Sequence, residues 1–390
     1  MSKWEKVKLG ELVLVKGGKR LPKDHTYVDN NSSFPYIRVC DFNNGTVDLS
    51  DLKYISSTTS KLIKNYIITK DDVYISIAGT IGLVGTIPPE IDNAHLTENA
   101  AKLVIKKKEN LSTRYLVKFL SSENGIKQIK SKTIATSQPK LALFRIEELD
   151  IPLPPLEVQK KIAQNLDTVS ELLDLRKKQL EELDQLIKSV FYDMFGDPVT
   201  NDKGWEMKKF EDIGRLTSGG TPSRSKAEYF TGNINWFSAG ELNDRYLYES
   251  TEKITEQAIL ESSAKIFPKG SMLIGMYDTA AFKLGILTQD SSSNQACANI
   301  IVNENKTNII WVYDVCQIMK ITYLSNRRGV RQKNLNLGMI KEFTLPVPPL
   351  ALQNEFASIV TKIEEQKALV KQSIQETQTL FDSLISQYFD

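Results

Sequence analysis

The sequence predicts a mixed α/β fold, with two globular α+β domains and two long helices that form an antiparallel coiled coil, arranged as a pseudo-twofold internal repeat. Two observations support this prediction. Segments near the start and near the middle of the chain recur about 200 residues later, which indicates a duplicated architecture. After each copy of a proline-rich motif, apolar residues recur at alternating spacings of three and four, the pattern of a coiled-coil helix.

The repeat has two anchors. WEKVKLGEL at residues 4–12 returns as WEMKKFEDI at 205–213, a shift of 201 residues. IPLPPLEVQ at 151–159 returns as LPVPPLALQ at 345–353, a shift of 194. The smaller second shift indicates that a few residues were lost between the anchors. We predict globular domains over 1–150 and 199–344, and helical segments over 151–198 and 345–390.

The apolar seam of each helical segment falls on that of the other when the numbering is shifted by 194. In the first segment the seam comprises Leu166, Val169, Leu173, Leu180, Leu183, Ile187, Val190 and Met194, interrupted by Arg176. In the second it comprises Val360, Ile363, Val370, Ile374, Phe381, Leu384 and Tyr388, interrupted by Lys367 and Thr377. A lone helix would expose such a strip to water, so we expect the two helices to pair.

The ends of the helices are also visible in the sequence. Proline pairs at 154–155 and 348–349 stand where a helix can begin but not continue. Gly196 and Pro198 follow the first helical segment and predict its end. The connector over 196–204 is short, so the second domain must begin where the first helix ends. This favours antiparallel pairing, with the two domains at opposite ends of the helices.

The globular regions carry short apolar runs at 73–77 and 271–276, bounded by glycine and polar residues. Such runs predict buried strands. Helical patterns follow at 112–129 and 308–324, so each domain is predicted to mix strands and helices.

Composition limits the classes of function. A chain of 390 residues is long enough for two or three domains, and it contains no apolar stretch of membrane-spanning length. The default expectation is a cytoplasmic protein with no membrane partner. Its three cysteines, Cys40, Cys297 and Cys316, form no CxxC motif, and it has two histidines. We therefore expect neither a disulfide framework nor a metal site. A net charge of +2 leaves nucleic-acid binding open.

Basic residues cluster before each proline-rich motif and predict a phosphate-contacting strip, because cations there would release counterions from DNA. The clusters comprise Lys127, Lys130, Lys132 and Lys140 in the first half, and Arg327, Arg328, Arg331 and Lys333 in the second. Loop residues Lys19, Arg20, Arg38, Arg224 and Arg245 are further candidates. Gln138 and Gln332, which correspond in the repeat, are candidates for contacting adenine, as the arginines are for guanine. The competing interpretation of each cation is a solvated surface.

No catalytic motif emerges. The chain lacks the Asn/Asp-Pro-Pro-aromatic motif of an adenine methyltransferase. Gly214 and Gly219 have the spacing of a nucleotide-binding loop, but Gly220 stands where that loop requires lysine. We identify no nuclease carboxylate cluster, and we predict no catalytic residue.

The combination of PPLEVQKKIA at 154–163, a leucine-rich helix, FGDPVTNDKGWEMKKFEDI at 195–213 and a second PPLALQ before a terminal helix resembles the specificity subunits of type I restriction-modification systems. The resemblance covers essentially the whole chain. Ala351 departs from it, because an acidic residue usually follows PPL in that family, and Lys367 and Thr377 interrupt the second seam. These departures concern the equality of the two partner contacts.

The resemblance implies that two target recognition domains each read one half of a split site in double-stranded DNA. The helices would act as a spacer and as the docking surface for two methyltransferase subunits, beside restriction subunits. S-adenosylmethionine, ATP and magnesium would bind to those partners, and this chain would hold no cofactor and catalyse nothing. A helix of about 36 residues spans roughly 54 Å, about 16 base pairs of duplex.

Three alternatives stay open. The chain could be the specificity subunit of a related system with a fused methyltransferase-nuclease, or a self-contained DNA-modifying enzyme. It could also be a coiled-coil scaffold with no role on DNA.

Overall fold

The computed structural model describes residues 4–29, 34–134, 139–325 and 334–389. The chain divides into two compact units, which are Met1–Lys177 together with Gln372–Asp390, and Lys178–Lys371. Each unit therefore combines a globular region with the first part of one long helix and the last part of the other.

The first unit is a mixed α/β structure. Its strands are β1 Lys6–Lys8, β2 Val13–Gly17, β3 Pro35–Ile37, β4 Phe42–Asn43, β5 Thr46–Val47, β6 Lys53–Tyr54, β7 Ile67–Ile68, β8 Val73–Ser76, β9 Val84–Thr86, β10 Ala94–Leu96, β11 Ala100–Ile105 and β12 Asp150–Pro152. Its helices are α1 Leu9–Leu12, α2 Ser57–Leu62, α3 Thr113–Leu120, α4 Glu123–Lys132 and α5 Leu143–Glu147, and α6 Leu156–Phe195 begins here. Single 3-10 turns lie at Val39–Asp41, Lys64–Tyr66 and Pro89–Ile91.

Two sheets organise this unit. An antiparallel sheet has the strand order β2-β11-β8-β9, and a second sheet, in the order β6-β3-β10-β7, contains the parallel pair β3 and β10. Strand β8 is buried at every residue, which explains why the sequence shows a continuous apolar run rather than alternation. The strand predicted over 73–77 is confirmed. Strand β1 pairs with β12, which brings the start of the domain beside the proline-rich motif.

The helical stretch predicted over 112–129 is confirmed, but it is divided into two helices, α3 and α4. The hydroxyl oxygen of Ser122 accepts a hydrogen bond from the Gly125 amide at 3.2 Å and caps the start of α4. Serine favours such a cap over a helix interior. The apolar periodicity of the sequence continues across the break between α3 and α4, so the sequence pattern does not reveal the break.

The second unit repeats this plan. Its strands are β13 Glu206–Lys209, β14 Gly214–Ser218, β15 Ile234–Phe237, β16 Tyr246–Leu247, β17 Lys253–Ile254, β18 Met272–Gly275, β19 Leu284–Leu287, β20 Ser292–Ser293, β21 Cys297–Val302 and β22 Thr344–Val347. Its helices are α7 Phe210–Ile213, α8 Glu256–Leu260, α9 Ile309–Ser325 and α10 Leu337–Glu342, and α11 Leu350–Phe389 begins here. The 3-10 turns lie at Ala227–Phe230, Ala239–Glu241 and Asp278–Ala280.

The sheets of the second unit resemble those of the first, although its second sheet has three strands rather than four. The order β14-β21-β18-β19 corresponds to β2-β11-β8-β9 and is extended by β16, while β17-β15-β20 again contains a parallel pair. The strand predicted over 271–276 and the helix predicted over 308–324 are confirmed as β18 and α9.

The two long helices begin and end where the sequence predicts. Each has 40 residues, and Leu156 and Leu350 follow the proline pairs directly. Gly196 follows the last residue of α6 with a φ of +72°, a left-handed conformation that glycine adopts without strain.

Contacts between α6 and α11 show that the two helices run in opposite directions within each unit. In the first unit the Asn165 amide donates to the Tyr388 hydroxyl at 3.0 Å, and Arg176 donates to the Thr377 hydroxyl. In the second unit the rings of Phe191 and Phe356 lie 5.5 Å apart. Residue numbers rise along one helix as they fall along the other, so the antiparallel pairing is confirmed within each unit.

The seam residues face protein rather than water. Buried positions are Leu166, Leu173, Ile187, Val360, Ile363, Val370 and Thr377, and half-buried positions are Val169, Arg176, Leu180, Leu183, Val190, Met194, Lys367, Ile374, Phe381, Leu384 and Tyr388. The polar members have partners. Arg176 donates to the carbonyl of Ser373 as well as to Thr377, and Lys367 contacts Asp184 at 2.7 Å.

The last phenylalanine of each long helix enters a domain core. Phe195 and Phe389 occupy the same position in the repeat, and both are buried. Phe195 lies 6.2 Å from the Trp311 ring in the second unit, and Phe389 lies 5.6 Å from the Tyr115 ring in the first. Each core therefore holds the start of one long helix and the end of the other.

A buried glutamine in each proline-rich motif links the start of the long helix to its domain. The Gln159 side chain accepts from the Ser112 amide at 2.9 Å and donates to the carbonyls of Asn110 and Pro154 at 2.9 and 2.8 Å. Gln353 accepts from the Asn308 amide at 2.9 Å in the equivalent place. Every polar atom of Gln159 thus satisfies a backbone group away from water.

We expect Gln159→Ala to lower the free energy of unfolding by about 1–3 kcal/mol, because it leaves buried backbone groups without partners. Urea unfolding measures the loss, and hydrogen exchange at the Ser112 amide should accelerate. Gln164→Ala, at an exposed position of the same helix, is the control and should change neither. Equal effects of the two substitutions would contradict the linking role.

Arg245 was predicted as a DNA contact, and in the structure its side chain is buried among carboxylates. Its side chain is 9% exposed, and its guanidinium donates two hydrogen bonds of 2.7 Å to Asp314 and one of 3.0 Å to Glu364 on α11. Burial opposes the ionisation of both Asp314 and Arg245, and it raises the pKa of the Asp314 carboxyl. The pKa of Arg245 is nevertheless raised, because its guanidinium donates hydrogen bonds to the nearby carboxylate of Asp314. Arg245 fastens the domain to α11 within the second unit.

We expect Arg245→Met to destabilise the protein by about 3–5 kcal/mol, because Asp314 would stay buried without its partner. Adding Asp314→Leu should recover much of the loss. Urea unfolding followed by tryptophan fluorescence measures both, since Trp205, Trp236 and Trp311 lie in this unit.

The control for this experiment is Lys371→Met on the same helix, which removes an exposed ion pair with Asp244. It should cost at most about 1 kcal/mol. A similarly small loss for Arg245→Met would show that the contacts of Arg245 with Asp314 and Glu364 contribute little to stability.

Candidate nucleic-acid interface

Part of the predicted interface lies outside the described residues. This applies to Gln138 in the first half, and to Arg327, Arg328, Arg331, Gln332 and Lys333 in the second. The remaining candidates can be placed.

The first basic cluster surrounds the end of α4. Lys130 is exposed on its last turn, and Lys132 contacts Glu148 at 2.7 Å. The backbone of Lys140 pairs with Ala78 and Ile134, and its side chain is exposed. Lys127 is exposed and contacts Glu123 at 2.6 Å. The structure thus presents Lys130 and Lys140 to solvent and partly neutralises Lys127 and Lys132 with carboxylates.

Two loop candidates of the first unit, Arg20 and Arg38, share a concavity of about 420 Å³. Arg20 is 80% exposed and contacts Glu98 at 2.6 Å. Lys19, its exposed neighbour, carries its ammonium 5.8 Å from the centre of the Tyr66 ring. This is where the structure brings several sequence-predicted residues together.

The charges at this concavity are tuned by their neighbours. The hydrogen bond to Glu98 raises the pKa of the Arg20 guanidinium. Partial burial opposes ionisation of Glu98, but hydrogen bonds from Arg20, its own backbone and Thr97 outweigh it and lower the pKa of its carboxyl. Burial raises the pKa of the Tyr36 hydroxyl to about 12. The concavity therefore presents a fixed cation and anion beside a neutral phenol.

Arg38, another predicted DNA contact, is held by two carboxylates. Its guanidinium binds Asp41 and Asp51 at 2.5 and 3.2 Å, and its side chain is 23% exposed. The hydrogen bonds that its guanidinium donates to Asp41 raise the pKa of Arg38 despite partial burial. Because these carboxylates occupy the guanidinium, Arg38 stabilises the turn after β3 rather than offering free donors.

Arg224 is an exposed arginine of the second unit and a further predicted DNA contact. Its guanidinium donates to both oxygens of Glu252 at 2.5 and 2.7 Å. It also lies over the rings of Phe230 and Trp236, at 4.4 and 5.0 Å. The hydrogen bond to Glu252 raises its pKa. Arg224 is an exposed cation held rigidly on an aromatic surface.

Sequence reasoning missed Glu98 and the aromatic residues Tyr27 and Tyr36 at the first concavity. A weaker internal similarity could have revealed part of it. Tyr36 and Trp236 occupy the same position before a turn in each repeat, and that turn ends on a carboxylate, Asp41 or Glu241, that accepts from the backbone.

Two further properties concern classes of function. Among the described residues, no group of three or more histidine, cysteine, aspartate or glutamate side chains could hold a metal ion. None of the helices in the described ranges combines the length and apolar character required to cross a bilayer.

Comparison with known proteins identifies the family. The model of the type I restriction modification DNA specificity domain matches residues 1–185 and 202–378. The MjaIX specificity subunit of Methanocaldococcus jannaschii is 30% identical over 167 residues, which cover 42% of this chain and 38% of that protein. The EcoR124I/EcoR124II specificity subunit of Escherichia coli is 26% identical over 230 residues, 55% of this chain and 54% of that protein. The matches thus span about half or less of these relatives.

Solved structures share the fold. The S subunit of a type I restriction-modification system from M. genitalium superposes with a TM-score of 0.61 at 16% identity, covering 100% of this chain and 96% of that one. A chain from a type I system solved to explain complex assembly has a TM-score of 0.63 at 17% identity, covering 99% and 97%. The family match over both repeats shows that the chain belongs to the family of type I restriction-modification specificity subunits.

Proposed function

We propose that this chain is the DNA sequence-specificity subunit of a type I restriction-modification complex, and that it is not itself catalytic. Domains over 1–150 and 199–344 each read one half of a split site in double-stranded DNA. The observation that carries the proposal is the duplication: two mixed α/β units of matching strand order, in a family defined by a DNA specificity domain. Two domains that share a fold but differ in sequence suit a DNA site whose two halves differ.

The helical segments over 151–198 and 345–390 set the spacing between half-sites and dock two methyltransferase subunits. Exposed leucines support the docking role. Leu172 and Leu175 of α6 are 39% and 64% exposed in the first unit, and Leu369 of α11 is 59% exposed in the second. Exposed apolar side chains on a helix surface favour a protein partner that removes them from water.

The chemistry belongs to the partners under this proposal. S-adenosylmethionine binds to the methyltransferase subunits, and ATP and magnesium bind to restriction subunits where these join the complex. The chain contributes position: it decides which adenines reach a methyltransferase. Incubation of the purified chain with a labelled methyl donor separates this from a self-contained enzyme, because intrinsic methyl transfer would support the latter.

We expect the complex with a methyltransferase subunit to bind its cognate site tightly and to lose affinity at least about 100-fold between about 50 and 200 mM salt, because phosphate contacts release counterions. Lys130→Ala with Lys140→Ala should weaken binding to cognate and random DNA alike and reduce the salt slope by about two. Fluorescence anisotropy measures both quantities.

The control for these substitutions is Lys178→Ala, an exposed lysine of α6 paired with Glu182, which should leave the slope unchanged. Equal affinity of the unmodified complex for cognate and random DNA would refute the proposed function. An unchanged slope in the double variant would refute only the phosphate strip.

The spacer role predicts a measurable change in the recognised sequence. Deleting residues 174–180 from α6 and 372–378 from α11 removes one heptad from each helix, together with Arg176 and its acceptors, and keeps both seams in register. Each helix shortens by about 10 Å, so we expect the gap between half-sites to shorten by about three base pairs. Mapping methylated adenines measures the gap, and a gap of unchanged length would contradict the spacer role.

A further inference from the structure

The same loop is held in the same way in both units. It follows β2 in the first unit and β14 in the second and crosses the end of the parallel strand pair. Two backbone hydrogen bonds recur there: Gly18 N to Ala100 O and Lys19 N to Leu96 O, at 2.9 and 2.8 Å, correspond to Gly219 N to Cys297 O and Gly220 N to Ser293 O, at 3.0 and 2.9 Å.

A buried aromatic side chain adds a third equivalent bond. The Tyr36 hydroxyl donates to the carbonyl of Lys19 at 2.8 Å, and the indole of Trp236 donates to the carbonyl of Gly220 at 3.0 Å. Tyr36 lies in β3, which pairs in parallel with β10, and Trp236 lies in β15, which pairs in parallel with β20. The backbone that presents the following residue is therefore fixed from two sides in each unit.

The residues presented by this shared backbone differ. In the first unit Arg20 contacts Glu98. In the second unit Thr221 donates to the side-chain oxygen of Gln295. Each contact joins the residue just after the fixed loop position to the residue two places after the parallel strand. An ion pair in one repeat thus replaces a neutral hydrogen-bonded pair in the other.

These pairs have the properties that base contact requires. Arg20 is 80% exposed and stands at the concavity of about 420 Å³, and Gln295 is exposed. Arginine matches guanine with two hydrogen bonds in the major groove, and glutamine matches adenine in the same way. A partner side chain that orients the donor reduces the freedom lost on binding.

We infer that Arg20–Glu98 and Thr221–Gln295 are the specificity-determining pairs of the two domains. Arg20, oriented by Glu98, binds a guanine in one half-site, and Gln295, oriented by Thr221, binds an adenine in the other. This inference rests on the proposed function and names residues that distinguish its two half-sites.

The test compares methylation maps of the complex between this chain and its methyltransferase subunit, acting on a plasmid library with both half-sites randomised. The unmodified complex should require a guanine in one half-site and an adenine in the other. Arg20→Thr with Glu98→Gln installs the second pair in the first domain. Discrimination for guanine at that one position should fall at least about tenfold, while the other half-site stays unchanged.

A second variant covers the case in which the double substitution disrupts assembly, as size-exclusion chromatography would show. Gln295→Glu is nearly isosteric and should shift one position of the second half-site from adenine toward cytosine, because a carboxylate accepts from the cytosine amino group. The control is Lys23→Ala, an exposed cation on the first loop, which should change neither half-site.

The outcomes distinguish a failure of the proposed function from a failure of this inference. Methylation without any sequence preference by the unmodified complex would overturn the proposed function itself. A sequence-specific complex whose half-sites persist unaltered in the assembled variants would overturn this inference alone, as would a first half-site that lacks a guanine.

Discussion

The architecture depends on the insertion of helix ends into domain cores. A helix of 40 residues has no intrinsic reason to stop at a given place relative to a sheet, and most helical stability in proteins comes from packing. Phe195 and Phe389 supply that reason, because each buries its ring against an aromatic side chain of a domain core. Gln159 and Gln353 fix the other end of each helix. Neither helix can slide by a turn within a unit without removing a buried aromatic ring or breaking a buried hydrogen-bond set.

Polar residues in the seam reinforce this register. Arg176 donates hydrogen bonds to the Ser373 carbonyl and the Thr377 hydroxyl, and Lys367 forms an ion pair with Asp184. An all-leucine seam would tolerate shifts of a heptad, whereas a half-buried cation displaced from its acceptors has a desolvation cost. The interruptions that weaken the coiled-coil pattern in the sequence therefore select one alignment of the two helices over others of similar apolar contact.

The sequence was sufficient for features that depend on local spacing and duplication. The seams, the proline starts, the glycine after Phe195 and the antiparallel order all follow from short-range patterns. Features set by distant partners were inaccessible. Arg245 looked like a loop cation, because Asp314 and Glu364, which bury it, lie 69 and 119 residues away. The break before Ser122 was hidden by a continuous apolar period, and the partnership of Arg20 with Glu98 depends on a parallel strand pair.

The division between buried and exposed interactions explains how one fold can serve two unlike domains. The hydrogen bonds that hold the loops after β2 and β14 involve backbone groups and buried aromatic donors. Removing one of these bonds leaves a polar group without its partner, at a cost of about 1–3 kcal/mol. An exposed ion pair such as Arg20–Glu98 contributes little to the stability of the fold, because water screens its charges. Selection can therefore exchange the exposed pairs with little effect on folding, while the loops stay where they are. Arg20 and Gln295, one member of each exchanged pair, face solvent, and Arg20 also lines a concavity.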